Sequence, residues 1–275
     1  MTTSWHLKDT LRRWLMWSGV CVLVAHGLAG CAFKAPDSSS KADLATDSDE
    51  SDNRKRARIR LELAIGYYGN GQTTVALDEL KQSIGADPTL FEAYNLRGLI
   101  YTRLNNVPLA EESFRKALAI NPQAAGVRHN YGLLLCQQSR VPEALEMFSA
   151  AVASPVYGER AKTWMARAGC ELSIGKRAEA EASYLRSYEL DPGNPITGYN
   201  LALLLFQRGE YVRSQFYVRR INNSELANAE SLWLGIKVER KMDNYDAMAQ
   251  LGIQMKKRFP QSRETSSFER GAFDE

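Results

Sequence analysis

The chain repeats itself every 34 residues. Ala76, Ala110 and Ala144 stand 34 apart, as do Leu80, Phe114 and Phe148, and so do the pairs Tyr67 and Tyr101, Gly98 and Gly132, Pro88 and Pro122. After a two-residue slip across residues 154–160 the phase resumes with Ala168 and Ala202, Gly175 and Gly209, and the row Ala180, Tyr184, Ser187, Pro192. A degenerate copy closes at Pro260, 68 residues after Pro192. A fixed period of this length limits the chain to an array of like units. No unit can bury its own apolar face, so neighbours must stack.

Each unit follows one recipe. A first helix carries a small residue at its eighth position (Ala64, Gly98, Gly132, Ala168, Ala202), and a second carries small, aromatic, small (Ala110, Phe114, Ala117; Ala144, Phe148, Ala151). Spacings of three and four put these residues on one face, where small side chains let helix axes approach and an aromatic fills the gap. Gly71, Asn105, Gly175 and Gly209 mark the turns, and Pro108 and Pro142 sit in first turns that need no amide donor. Asp87-Pro88, Asn121-Pro122 and Asp191-Pro192 end the second helices. The pattern resembles the tetratricopeptide repeat (TPR). That resemblance implies an all-α fold, a right-handed α-solenoid of six TPR helix hairpins over residues 54–260. The units fall near 57–90, 91–124, 125–158, 161–194, 195–228 and 229–260. Ser214, Ile236 and Met248 depart from the small-residue positions. Residues 261–275 read as a flexible tail.

The N-terminus is a separate device. Lys8, Arg12 and Arg13 precede a mostly apolar stretch from Trp14 to Ala29, about the length of a signal-peptide core. Leu28-Ala29-Gly30-Cys31 then resembles the bacterial lipobox, which implies cleavage after residue 30 and lipidation of Cys31. Ala32 stands where an aspartate would favour the inner membrane in such lipoproteins, so the expected location is the periplasmic face of the outer membrane. Three acyl chains exceed the two signals that stable anchoring needs. Residues 31–53 are rich in Ser, Asp, Ala and Lys and read as a disordered tether with a reach of roughly 25–30 Å.

Charge and composition exclude several functions. Three of 35 basic and one of 32 acidic residues lie in the leader, which leaves the mature chain near +1, no footprint for nucleic acid. No His/Cys cluster has metal-ligand spacing, and no phosphate loop or nucleophile elbow is visible. Carboxylates are expected on solvated helix faces, and His129, the single histidine beyond the leader, is expected as a polar contact rather than a catalyst. Neither cofactor, metal nor small-molecule substrate is expected, and the chain reads as a non-enzyme. Cys136 and Cys170 occupy the twelfth and tenth positions of neighbouring first helices, which favours two buried thiols over a disulfide.

Function then falls to a concave groove lined by first helices. Positions 5, 6, 9, 12 and 13 give Leu61, Ile65 and Tyr68, then Asn95, Leu99 and Arg103, then His129, Asn130 and Leu133, then Met165, then Tyr199, Asn200, Leu203 and Phe206. Amides at intervals can hold an extended backbone while Leu, Tyr and Phe accept side chains. A lipobox, a tether and six repeats with nothing else attached resemble the PilF/PilW family of type IV pilus biogenesis lipoproteins, the pilotins. The segments RARIRLELAIGYYGNGQTTVALDELKQSIGADPTLFEAYNLRGLIYTRLNN and HNYGLLLCQQSRVPEALEMFSAAV carry that resemblance. It implies that the solenoid binds the pilus secretin, that lipoprotein sorting machinery carries the anchor, and that secretin localisation and multimerisation follow. The alternative is another outer-membrane TPR scaffold, a peptidoglycan hydrolase adaptor or an outer-membrane assembly component.

Overall fold

A computed structural model describes residues 50–274. The signal peptide, Cys31 and most of the tether lie outside the described residues. Among those described, thirteen helices run in order: α1 (Asp52–Gly69), α2 (Thr73–Ala86), α3 (Phe91–Arg103), α4 (Val107–Ile120), α5 (Ala125–Gln137), α6 (Val141–Val152), α7 (Arg160–Ser173), α8 (Arg177–Leu190), α9 (Pro195–Gln207), α10 (Tyr211–Asn222), α11 (Ala229–Lys241), α12 (Tyr245–Arg258) and α13 (Arg263–Glu269). The first twelve pair into the six expected hairpins. None of the described helices is long and apolar enough to cross a membrane.

One turn geometry closes all six. Its central residue takes a left-handed backbone: Gly71, Gly175 and Gly209 at φ 75–83°, and Asn105, Ser139 and Asp243 at 56–60°. The next amide reaches back five residues, as in Gln72 N to Tyr67 O and Asn244 N to Glu239 O, both 2.9 Å. This satisfies carbonyls that the helix end would otherwise orphan.

Small-against-large packing fills each hairpin. A Cβ on Gly98 would lie 2.6 Å from Phe114, and one on Gly132 would lie 2.7 Å from Phe148, so these glycines exist for the rings they face. Ser214 fits its small position because its hydroxyl donates to Ala202 O at 2.7 Å. The sixth hairpin swaps the register. Ile236 takes the small position, fully buried, and Gly252 takes the large one.

That swap corrects the expected flexible tail. Phe268 of α13 occupies the space Gly252 leaves open. Ser262 caps the helix by accepting from Thr265 N at 3.1 Å, and Thr265 Oγ1 donates to Phe259 O at 2.8 Å. A ring fills a vacancy that only the fold creates, so the polar composition of residues 261–275 misleads. At the other end α1 begins inside the expected tether, at Asp52, because Ser51 caps it by accepting from Arg54 N.

First helices of successive hairpins abut, α1 on α3, α3 on α5, α5 on α7 and α9 on α11, whereas each second helix packs on its own partner and on the next first helix. The first helices therefore form the inner wall of the solenoid.

Two further expectations fail. Glu111, Glu171 and Glu239 are buried rather than solvated, at 9%, 1% and 1% exposure. Each is satisfied: Glu111 by Arg115, Arg140 and Tyr131, Glu171 by Arg167 and Ser183, Glu239 by Arg219, Gln215 and Asn244. Buried carboxylates survive only with such partners. And Cys136 is bonded to Cys170, with Cα atoms 5.9 Å apart. Unequal positions do not make the side chains diverge. Each first helix touches its predecessor with one flank and its successor with the other, so residues that meet sit at different positions.

Candidate partner-binding groove

All eleven expected groove residues lie on α3, α5, α7 and α9, and none is fully buried. Arg103 is exposed; Asn95, Leu99, His129, Asn130, Leu133, Met165, Tyr199, Asn200, Leu203 and Phe206 are half-buried. In the first hairpin Tyr68 is half-buried and Ile65 is exposed, but Leu61 belongs to the core at 8% exposure. Leu99 packs against the cores of both the first and the third repeat regions, Met165 against Ala168 and Tyr184's cluster, and Tyr199, Leu203 and Phe206 against that of Ala202 and Val218.

Contacts between first helices knit these residues into a stripe. Arg103 lies over the Tyr68 ring at 5.4 Å. Asn130 donates Nδ2 to Asn95 Oδ1 at 3.0 Å, which holds two amides in register on adjacent helices while leaving other donors and acceptors of each amide for an incoming backbone. Asn200 does not extend this ladder. It donates to Ile196 O of its own helix at 2.8 Å. The arrangement offers half-exposed Leu, Met, Tyr and Phe with polar groups between them, a surface for a polypeptide. No group of three or more His, Cys, Asp or Glu among the described residues could hold a metal.

Comparison with known proteins matches this geometry. The tetratricopeptide repeat family covers residues 61–125 and 132–195. The type IV pilus assembly protein PilF of Pseudomonas aeruginosa is 30% identical over 247 residues, 90% of this chain and 95% of that one. This chain belongs to the PilF family. The solved structure of P. aeruginosa PilF superposes with a TM-score of 0.71 at 28% identity, covering 80% of this chain and all of that one. The crystal structure of PilW, described as a widely conserved type IV pilus biogenesis factor, gives 0.65 at 28% identity, covering 77% and 97%.

In this PilF-family groove His129 is held rather than free. Its Nδ1 is hydrogen-bonded to Thr163 Oγ1 at 2.8 Å, and Thr163 also contacts Tyr157 Oη and Glu159 O. Burial is the main cause that lowers its pKa below the ordinary 6.5, Lys162 adds to this, and Glu159 opposes it. The folded state therefore disfavours the proton that the unfolded chain accepts, so stability is full above about pH 6.5 and declines as pH falls through it. His129→Gln is expected to flatten the stability profile between about pH 5 and 7, measured by thermal melts.

The stripe also continues one helix beyond the expected residues. Trp233, Lys237 and Arg240 on α11 stand 34 residues after Tyr199, Leu203 and Phe206. Lys237 Nζ lies 5.8 Å from the Phe206 ring and 5.5 Å from that of Trp233. The 34-residue register alone could have found them, had the degenerate sixth repeat been projected like the others.

Proposed function

We propose that this PilF-family chain is a non-enzymatic, lipid-anchored pilotin of type IV pilus biogenesis, facing the periplasm from the outer membrane. In this reading Cys31 carries the lipid, the lipoprotein sorting machinery moves it, and the groove holds pilus secretin subunits so that they reach the outer membrane and multimerise. The carrying observation is the half-exposed apolar and amide stripe along the inner wall of a chain related over nearly its whole length to a type IV pilus assembly protein. The Cys136–Cys170 bridge fits an oxidising compartment such as the periplasm.

Two variants test it. Leu99→Asp with Leu133→Asp is expected to weaken secretin co-purification from detergent-solubilised outer membrane by tenfold or more, with a small shift in melting temperature. An equal collapse of both would place these leucines in the core and remove the groove from the reading. Cys31→Ala is expected to leave the solenoid folded but strand secretin monomers in the inner membrane. Normal secretin rings in that strain would end the lipid-cargo account.

A further inference from the structure

The chain's last described residues fold back onto the inner wall. Phe273 stacks on Trp233 with ring centroids 5.4 Å apart and planes 25° from parallel, and the Arg240 guanidinium lies over Phe273 at 4.2 Å. Asp274 Oδ1 is 3.9 Å from Lys241 Nζ and acts electrostatically on Lys237. Trp233, Lys237, Arg240 and Lys241 hold positions 5, 9, 12 and 13 of the sixth first helix, the positions that line the groove in earlier repeats. Gly271, at φ 68°, makes the bend that turns the chain back after α13.

This step of the groove is therefore occupied, and the occupant has a definite chemistry. An aromatic side chain meets an indole and a guanidinium, and the carboxylate that follows it lies near the Lys241 ammonium and within electrostatic reach of that of Lys237. Lys237, between the Phe206 and Trp233 rings, joins this step to the stripe on α9. The Phe273 ring is half-buried against Trp233 and Phe268, and the residue that follows it is open to solvent. Phe268 anchors α13 at Gly252, whereas the Asp274 side chain is 81% exposed.

We propose that Trp233, Lys237, Arg240 and Lys241 form a docking position for a partner's extended peptide carrying an aromatic residue followed by an acidic one, and that Phe273–Asp274 is its intramolecular placeholder. The inference rests on the groove reading and specifies the segment the groove's C-terminal end takes. A tethered occupant competes at millimolar effective concentration, so a free peptide binds well only when the placeholder is weakened.

The test uses the mature chain and a fluorescein-labelled heptapeptide of its own residues 269–275, ERGAFDE. By fluorescence anisotropy, Phe273→Ala is expected to bind the peptide about tenfold more tightly than wild type. Asp274→Arg, which removes no packing, is expected to shift affinity in the same direction. The peptide with alanine in place of its phenylalanine should not bind, and adding Lys237→Glu and Arg240→Glu to Phe273→Ala should abolish binding. Equal affinity for wild type and both tail variants, no binding to any form, or binding that survives the charge reversal would overturn the proposal. Secretin co-purification does not involve this peptide. Co-purification from the wild-type strain alongside a negative peptide result would sink this inference alone, and its absence from the wild-type strain would sink the groove reading.

Discussion

Glu239→Ala is expected to cost roughly 2–4 kcal/mol of folding stability, read as a shift in urea midpoint with little change in slope. The side chain is 1% exposed and accepts three hydrogen bonds of 2.8 Å, from Arg219 Nε, Gln215 Nε2 and Asn244 Nδ2. These donors come from α10 and from the turn of the sixth hairpin, so the carboxylate fastens the last two repeats together. Truncation leaves a cationic and two amide donors without an acceptor, and an unmet buried partner costs more than the pair contributes. The Arg219 side chain is 47% exposed and regains water, which places the loss below that of a fully enclosed pair. Glu239→Gln keeps one acceptor oxygen and is expected to lose about half as much. A loss under about 1 kcal/mol for the alanine variant would show that water takes the carboxylate's place.

The paired change Cys136→Ser with Cys170→Ser is expected to cost about 3–4 kcal/mol, the loop-entropy value for cysteines 34 apart in sequence. The bridge joins α5 to α7 across the one long connection between hairpins, residues 153–159, where other boundaries use about four to six residues. It therefore restrains the solenoid where the regular spacing is broken. Chemical denaturation of wild type with and without dithiothreitol gives the same quantity independently. The reduced wild type and the double variant should coincide, and a wild type indifferent to reductant would show that the bridge adds nothing to stability.

Both effects sit at features that local pattern reading misjudged. Glu239 lies in a stretch, VERKMDN, whose charge reads as a solvated face. Only the approach of α10 closes it off, and no spacing within α11 signals that approach. Cys136 and Cys170 were counted from the start of their own helices, but the bridge depends on which flank each helix turns to its neighbour. His129 with Thr163 obeys the same offset, from position five to position three, so it is a property of how α5 meets α7 and not of one pair.

By itself the sequence determined the hairpins, their number and most of their turns. Each depends on interactions within about 34 residues: a left-handed turn residue, a small position facing a large one, a proline after the helix. Tertiary structure alone decided the disulfide, the partners of the buried glutamates and the order of the C-terminal segment. In the bridge, in Glu111 with Arg140, in Glu239 with Arg219 and in the C-terminal segment, one unit supplies a group and another supplies the space or the charge it needs. Gly252 and Phe268 show this most plainly, since a missing side chain in one helix becomes a binding place for the next only after the two have met.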